Sequence, residues 1–167
     1  MGGNPPKKDG KKKANREGEI LVCRNSKATQ RFEIEEKVEA GMVLVGSEVK
    51  SLRARKGDLD GAYASVDRGE LWLHHMHVGP YGHASSFAHE TTRSRKLLVR
   101  TEQLRRLHGR LTTKGYTIVP LRVYFKNGYA KVELGVAKGK HAADKREDLK
   151  REIELREARS AMSRTRR

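Results

Sequence analysis

The sequence predicts a mainly β protein, an OB-like antiparallel β-barrel with flanking short helices and a basic C-terminal tail. Short alternating runs rich in β-branched and aromatic residues recur through the middle of the chain, and turn signals separate them. Nearly all of the apolar content lies between residues 19 and 138. A closed or partly open barrel suits many short strands because closure removes exposed sheet edges. At 167 residues the chain can form one domain with a core.

The first part of the chain predicts a disordered segment followed by strands and a short helix. Residues 1–18 are basic and hold glycine, proline and lysine without core-forming side chains, so nothing there offsets the entropy of ordering. The stretch GSEVKSLRARKG places Val49 and Leu52 three residues apart, which indicates a short helix. Ser47 can cap its start, and Gly57 lies beyond its end.

The second part predicts two hairpins around another helix. The run AYASVDRGELWLHHMHV alternates on both sides of DRG, which is typical of a hairpin. In TEQLRRLHGRLTTKG, Thr101 can cap a helix and Gly115 can close it. One stripe of that helix carries Leu104, Leu107, His108 and Leu111. Asn127 and Gly128 give the strongest hairpin signal. Pro120 cannot donate to a ladder, so its strand is expected at an edge or with a bulge.

The charge of the chain points to a polyanionic partner. Lys and Arg number 37 against 21 Asp and Glu, giving a net charge of +16. Such a surface attracts nucleic acid first and anionic membranes second. No apolar run approaches the ~18 residues of a membrane span, and no secretory signal follows the N-terminal lysines. The single cysteine, Cys23, excludes an internal disulfide. We therefore expect a cytoplasmic protein without a membrane partner.

The sequence holds no enzyme motif, and we predict neither catalytic residues nor a cofactor. His89 and Glu90 begin like a zinc-protease motif, but Arg93 stands where a second histidine is required. His75 and His77 would share one face of a strand, and His83 could return to them. No Cys or carboxylate beside them completes a metal-ligand set, so we interpret them as surface or RNA-facing imidazoles and predict no metal.

The composition favours recognition of folded RNA. Aromatic residues make up only 5 % of the chain and are scattered, whereas single-strand binders need stacking platforms. The segment KNGYAKVELG is not an aromatic RNP motif. Folded RNA is recognised instead through phosphates, 2′-hydroxyl groups and shape, which suits a basic barrel with few aromatic side chains.

The tail, residues 139–167, is predicted to be disordered when free and helical when bound. Two acid–base pairs stand four residues apart: Glu147 with Arg151, and Glu152 with Arg156. Asp144 can cap the helix. Each pair contributes only about 0.2–0.5 kcal/mol, and isolated helices of this length are marginal. A basic helix that folds on binding can enter a narrow RNA channel, where phosphate contacts offset the ordering entropy.

Several blocks of the sequence resemble the SsrA-binding protein (small protein B) family. They are EAGMVLVGSEVKSLRARKGDLDGAY, PYGH, TRSRKLLVRTEQL, GYTIVPLRVYFKNGYAKVELGVAKGK and DKRED. The resemblance implies a barrel that binds transfer-messenger RNA (SsrA RNA, tmRNA) and delivers it to stalled bacterial ribosomes for trans-translation. The barrel would fill the place of a tRNA anticodon arm. The tail would become helical in the empty mRNA channel, next to the decoding region of the small subunit. We expect a monomer when free.

The resemblance also implies which residues contact RNA and the ribosome. The implied RNA-binding residues are Lys27, Glu39, Leu98, Arg100 and Lys131. The implied residues of the ribosomal tail are Gly139, Lys140, Asp144, Lys145, Arg146 and Met162. A carboxylate such as Glu39 suits an RNA site as an acceptor from a base amino or imino group or from a 2′-hydroxyl.

The chain departs from the family pattern at a few of these positions. In NSKATQ, Ser26, Thr29 and Gln30 replace basic or histidine residues, and only Lys27 keeps its charge. Ala143 precedes DKR, where the family often has histidine or an aromatic residue. A competing hypothesis is a general ribosome-associated or assembly protein that its basic tail anchors in ribosomal RNA. An RNA-modifying enzyme would lack a candidate nucleophile.

Overall fold

The computed structural model describes residues 18–82, 89–140 and 142–164. The segment predicted to be disordered therefore lies, except for Gly18, outside the described residues. The elements in chain order are β1 (Glu19–Arg24), α1 (Ala28–Arg31), β2 (Phe32–Met42), α2 (Gly46–Arg53), β3 (Gly57–Asp58), β4 (Tyr63–Asp67), β5 (Glu70–His74), β6 (His77–Val78), β7 (Arg95–Leu98), α3 (Thr101–Leu111), β8 (Tyr116–Lys126), β9 (Tyr129–Gly139) and α4 (Ala142–Arg164).

Six antiparallel strands close into a barrel. Their order around the ring is β8, β4, β5, β7, β2 and β9, and β9 pairs again with β8. The seam between β4 and β8 rests on one residue pair, Ala64 with Ile118. Beyond that seam the same edge of β8 pairs with β1, from Arg122 to Lys126. The predicted mainly β, OB-like barrel is confirmed.

Both predicted hairpins are confirmed. Arg68 and Gly69 join β4 to β5 with φ values of +48° and +75°. Asn127 and Gly128 join β8 to β9 with φ values of +51° and +81°. Positive φ at both central residues is the pattern of the two-residue turn whose twist matches the flanking strands. Glycine at the second position of each turn therefore has a direct conformational reason.

Pro120 lies at a bulge in an inner strand. The register between β8 and β9 shifts between Pro120 and Arg122, so the bulge that we predicted is present. The alternative, an edge strand, is wrong because β8 has neighbours on both sides. Asn25 binds the bulge: its backbone N–H donates to Leu121 O at 2.8 Å and its side chain to Pro120 O at 3.2 Å.

The predicted N-cap of helix α2, Ser47, is wrong. The helix forms as expected, but it begins at Gly46 after Val45, so Ser47 lies inside its first turn. Glu48 Oε2 accepts the backbone N–H of Val45 at 3.0 Å. This bond joins the side chain of the third helical residue to the backbone N–H of the N-cap residue, so Glu48 closes the first turn back onto Val45. Gly57 lies beyond the helix, at the start of β3.

The N-cap of helix α3 lies one residue before the predicted one, Thr101. Arg100 is the N-cap and Thr101 is the first helical residue. Gln103 Oε1 accepts the Arg100 N–H at 3.2 Å. On the predicted stripe Leu107 is buried, Leu104 and Leu111 are half-buried, and His108 is exposed. The helix therefore packs on the barrel through its leucines, while the histidine faces solvent.

The core fills the inside of the barrel with aliphatic side chains. Strand β5 shows the alternation: Leu71 and Leu73 are buried, whereas Glu70, Trp72 and His74 lie half-buried on the outer side. The largest fully buried apolar side chains of this core are Leu52, Leu59, Leu71, Leu73, Met76, Val78, Leu107, Ile118 and Leu134.

A buried ion pair joins α2 to β7. Glu48 and Arg95 are both fully buried, and Arg95 Nε lies 2.8 Å from Glu48 Oε1. Arg93 Nη2 donates to Glu48 Oε2 at 2.5 Å, and Arg95 also donates to Met76 O at 2.7 Å. Burial alone would raise the pKa of Glu48, but hydrogen bonds from Arg93 and Val45 and the charge of Arg95 hold that pKa below its usual value.

The tail carries the long helix α4. Asp144 lies inside its first turn, so it is not the N-cap that we predicted. Among the described residues, no ion pair within 4 Å joins either predicted acid–base pair of the tail, and Glu152 instead accepts a hydrogen bond from Gln30 at 3.1 Å. Leu149, Ile153 and Leu155 are exposed. Disorder of the free tail stays a prediction.

The described residues contain no helix that is both long and apolar enough to cross a membrane.

We predict that Glu48→Ala lowers the free energy of unfolding by about 3–5 kcal/mol, because it leaves the buried Arg95 without its counter-charge. Glu70→Ala is the matched control, since it removes a half-buried, solvent-accessible partner of Lys96 and should cost less than about 1 kcal/mol. Urea denaturation of both variants measures the difference. Equal losses would contradict the structural role of the buried pair.

Candidate nucleic-acid interface

Four strands place a row of side chains on the outer face of the barrel. Leu98 of β7 lies opposite Gly41 of β2. Gly41 in turn lies opposite Lys131 of β9, and Lys131 lies opposite Tyr124 of β8. Cross-strand partners project to the same side of a sheet. Glu39 precedes Gly41 by two residues and shares this side. The structure thus brings together three of the five predicted RNA-binding residues, Glu39, Leu98 and Lys131.

The Glu39 carboxylate is held by two donors. The Lys131 ammonium donates to Oε1, and the Tyr124 hydroxyl donates to Oε2. These hydrogen bonds, the one from Lys131 first, hold the pKa of Glu39 below its usual value. Burial and the bond to Glu39 raise the pKa of Tyr124. Glu39 is therefore ionised at neutral pH, and each oxygen keeps a further lone pair that can accept a hydrogen bond from a ligand.

Arg122 extends this network, because it contacts Tyr124 and binds two further carboxylates. Its Nε donates to Glu133 at 2.5 Å and its Nη1 to Glu19 at 2.7 Å. Its guanidinium lies 4.3 Å from the centre of the Tyr124 ring. Glu133 stands opposite Glu39 in the sheet register, so the Arg122 charge offsets the repulsion between neighbouring carboxylates. Stacking on Arg122 also fixes the Tyr124 ring that orients Glu39.

Two predicted RNA-binding residues lie outside this row. Arg100 follows β7 by two residues, is exposed, and begins the turn into α3. Lys27 precedes α1 and donates to Asp60 at 2.6 Å, and this hydrogen bond lowers the pKa of Asp60. Phe32, which follows α1, stands about 23 Å along β2 from Glu39. Lys27 therefore belongs to the opposite end of the barrel.

The tail begins at that opposite end. Gly139 is the last residue of β9 and lies opposite Phe32. The Lys140 side chain donates to Thr29 O at 2.8 Å, and its backbone N–H donates to Arg31 O at 3.1 Å. Arg146 is exposed on α4. The predicted tail residues Asp144, Lys145 and Met162 lie on α4, but their side chains are outside the described part of the chain.

Sequence reasoning missed Arg122 and Tyr124, although a signal for both was present. A two-residue turn at Asn127 and Gly128 pairs position 126 with 129, so that positions 124 and 122 lie opposite 131 and 133. Alternation then places both missed side chains on the same face as Lys131. The predicted hairpin was therefore sufficient to locate them.

The described residues hold no group of three or more His, Cys, Asp or Glu that could bind a metal ion. His83, which we considered with His75 and His77, lies outside the described residues. Burial raises the pKa of the Cys23 thiol to about 12, so this cysteine is protonated at neutral pH and behaves as a small apolar residue.

The fold and the site define a basic OB-like barrel, a class of protein whose members bind oligonucleotides or oligosaccharides. The family model described as SmpB protein matches residues 22–164. The chain belongs to the SmpB family, as its motifs predicted.

Individual relatives agree with this assignment. The SsrA-binding protein of Geobacter sulfurreducens is 50 % identical over 145 residues, which cover 87 % of this chain and 95 % of that protein. The SsrA-binding protein of Desulforudis audaxviator is 52 % identical over 147 residues, covering 87 % and 96 %. A solved chain from work on tmRNA–SmpB in the bacterial ribosome is similar with a TM-score of 0.62 and 47 % identity, covering 72 % of this chain and 85 % of that one.

We predict that Lys131→Met and Tyr124→Phe each raise the pKa of Glu39 towards its usual value of 4.5, because each removes a donor to the carboxylate. NMR titration of the Glu39 side chain measures this pKa. Since the folded-state value lies below the unfolded one, the contribution of Glu39 to stability is present above about pH 4.5 and is lost as pH falls through the folded-state pKa. Tyr129→Phe, at an exposed position of the same hairpin, is the control. An unchanged pKa in both variants would contradict the described network.

Proposed function

We propose that this protein binds transfer-messenger RNA and delivers it to stalled bacterial ribosomes for trans-translation. The observation that carries the proposal is the outer face on which Glu39, Lys131 and Leu98 stand together in a member of the SmpB family. Its relatives are named SsrA-binding proteins. We infer that the protein works in the cytoplasm as an RNA-binding factor rather than as an enzyme.

The held carboxylate gives this face selectivity for particular RNA groups. An acid repels phosphates, so Glu39 favours a position where RNA offers a base N–H or a 2′-hydroxyl. Lys131 and Tyr124 fix the carboxylate before RNA arrives, which lowers the ordering entropy lost on binding. Lys131 and Arg100 carry charge for nearby phosphates, and Leu98, 54 % exposed, offers apolar contact to a sugar or base.

The net charge of +16 supplies the part of the affinity that does not depend on sequence. Each phosphate that the protein neutralises releases counterions, and adds about −0.7 to −0.9 to the slope of log affinity against log salt concentration. We therefore expect strong weakening at high salt. The Glu39 contact has no such charge partner on RNA, so it contributes specificity rather than salt dependence.

The tail provides the link to the ribosome in this proposal. Helix α4 leaves the barrel beside α1 and exposes Leu149, Ile153 and Leu155. A helix with so few buried apolar contacts is marginal alone, and RNA walls of the mRNA channel would supply the missing stabilisation. We propose that it is disordered in the free protein and helical in the channel, while the barrel occupies the place of a tRNA anticodon arm.

The second candidate is a ribosome-associated or assembly protein whose tail anchors it in ribosomal RNA. The excess of cations in residues 139–167, ten Lys and Arg against six Asp and Glu, favours this alternative. The two functions differ in the RNA that the barrel prefers. A rescue factor binds isolated transfer-messenger RNA at least as tightly as any ribosomal RNA fragment.

We predict that Glu39→Ala and Lys131→Ala each weaken binding of transfer-messenger RNA by about 5- to 150-fold, the effect of losing one specific contact of about 1–3 kcal/mol. Titrations at one fixed salt concentration measure the dissociation constants. Glu33→Ala is the control for Glu39→Ala, because it removes the same negative charge at an exposed position near the opposite end of β2. If neither variant at the face lost affinity, the RNA face would be placed wrongly.

We predict that a chain ending at Lys140 stays folded and binds transfer-messenger RNA with unchanged affinity, but fails to tag proteins on stalled ribosomes. This end point keeps every barrel strand and both contacts of Lys140 with α1. Melting temperature, RNA affinity and tagging are measured on the same preparations. Unfolding would show that the tail belongs to the core, and full tagging would show that it has no role in rescue.

A further inference from the structure

Gly41 occupies an unusual place for a glycine. It is the next-to-last residue of β2 and is paired on both sides, with Leu98 of β7 opposite it in one direction and Lys131 of β9 in the other. A paired strand position disfavours glycine, which loses more chain entropy on folding and has no side chain to pack. Glycine is tolerated there when a positive φ, a crowded neighbour or a close-approaching ligand requires it.

The fold itself does not require this glycine. Gly41 is absent from the residues with positive φ in the described chain. A Cβ added at Gly41 would lie 3.5 Å from Leu98 Cβ and 3.9 Å from Leu98 Cδ1, which are ordinary contacts. Gly135 is different, since a Cβ there would lie 3.0 Å from Ile34 Cγ2, and so is Gly57, at 2.9 Å from Leu52.

The missing side chain leaves a gap in the outer face. The Cα atoms of the flanking residues stand two strand spacings apart, about 10 Å. Leu98 forms one wall of this gap and Lys131 the other. Glu39 lies two residues before Gly41 in β2, and Val43 lies two residues after it, just beyond the end of the strand. Val43 is 44 % exposed. We call this gap the Gly41 slot: an aliphatic wall, a cationic wall, and a carboxylate at one end.

We infer that the Gly41 slot seats one ribonucleotide, with the C–H face of its ribose packed on the Gly41 backbone and Leu98. Peptide N–H and C=O groups of a paired strand lie in the plane of the sheet, so contact with the outer face of Gly41 is by van der Waals packing. In this pose the phosphate lies towards Lys131 and the 2′-hydroxyl donates to Glu39. The inference rests on the proposed function and adds the seat of the nucleotide.

Substitutions at Gly41 should change protein stability and RNA affinity in different directions. Valine suits a strand better than glycine, and its side chain would fill the slot. Gly41→Val should therefore keep or raise stability while it excludes the ribose. Alanine adds only a Cβ, so Gly41→Ala should give a smaller effect in the same direction. A residue that served the fold alone would show the opposite behaviour, with stability lost and RNA affinity retained by the folded fraction.

The experiment compares full-length wild type, Gly41→Ala, Gly41→Val and Gly109→Ala. The last is a matched control, because a Cβ at Gly109 of α3 meets nothing within 4 Å. Urea midpoints and dissociation constants for transfer-messenger RNA are measured together. We expect midpoints at or above wild type in all variants, at least about tenfold weaker binding for Gly41→Val, a smaller loss for Gly41→Ala, and none for Gly109→Ala.

A double-mutant cycle tests the shared nucleotide. Because Glu39 and Gly41 would contact the same ribose, Gly41→Ala combined with Glu39→Ala should lose less affinity than the sum of the single losses. The inferred nucleotide site would be overturned if a folded Gly41→Val variant bound transfer-messenger RNA as tightly as wild type. It would also be overturned if the affinity losses of Gly41→Ala and Glu39→Ala were additive. If Gly41→Val unfolds, Gly41→Ala decides, and its unfolding would overturn the slot as well. Failure of the wild type to bind transfer-messenger RNA would instead overturn the proposed function.

Discussion

The outer face of the barrel depends on Arg122. The sheet register places Glu133 directly opposite Glu39, and β1 brings Glu19 to the same side. Like charges on neighbouring strands are destabilising, and Arg122 offsets them by binding both Glu19 and Glu133 while it stacks on Tyr124. That stacking fixes the hydroxyl that orients Glu39. The Glu39 carboxylate can therefore stay ionised and oriented on this face, although Glu19 and Glu133 would otherwise repel it.

Strand β9 connects the proposed RNA face to the start of the tail. Lys131 lies near its start, beside the RNA face, and Gly139 is its last residue, where the tail departs. Eight residues of strand separate them by about 26 Å. Because β9 is paired on both sides, with β2 and β8, this separation is rigid. A factor that holds one RNA with its barrel and probes a second site with its tail needs such a fixed distance.

Local signals predicted the two hairpins and the presence of helices α2 and α3. The Asn-Gly turn is encoded by two adjacent residues, and it also determines that Tyr124 faces Lys131. Contacts that join distant segments could not be derived in this way. The buried pair of Glu48 and Arg95 spans 47 residues, and the seam of the barrel rests on Ala64 and Ile118. Nothing in the local pattern of either segment identifies its partner.

Which residues bind RNA stays a prediction, but the structure shows how the predicted residues are arranged. Glu39, Leu98 and Lys131 came from the family resemblance, and the register explains why they belong together. Lys27 came from the same source, but Asp60 holds it at the other end of the barrel. Helix caps were misplaced by one or two residues because Val45 and Arg100 take extended backbone conformations there, which side-chain preference alone does not reveal.

The most direct test identifies the RNA that the full-length protein holds in cells. The tagged chain is crosslinked in a bacterial host, purified, and its RNA is sequenced, beside a variant that carries Glu39→Ala and Lys131→Ala together. We expect transfer-messenger RNA to be the most enriched RNA, and its enrichment to fall in the double variant. Enrichment of ribosomal RNA without transfer-messenger RNA, unchanged in the double variant, would contradict it.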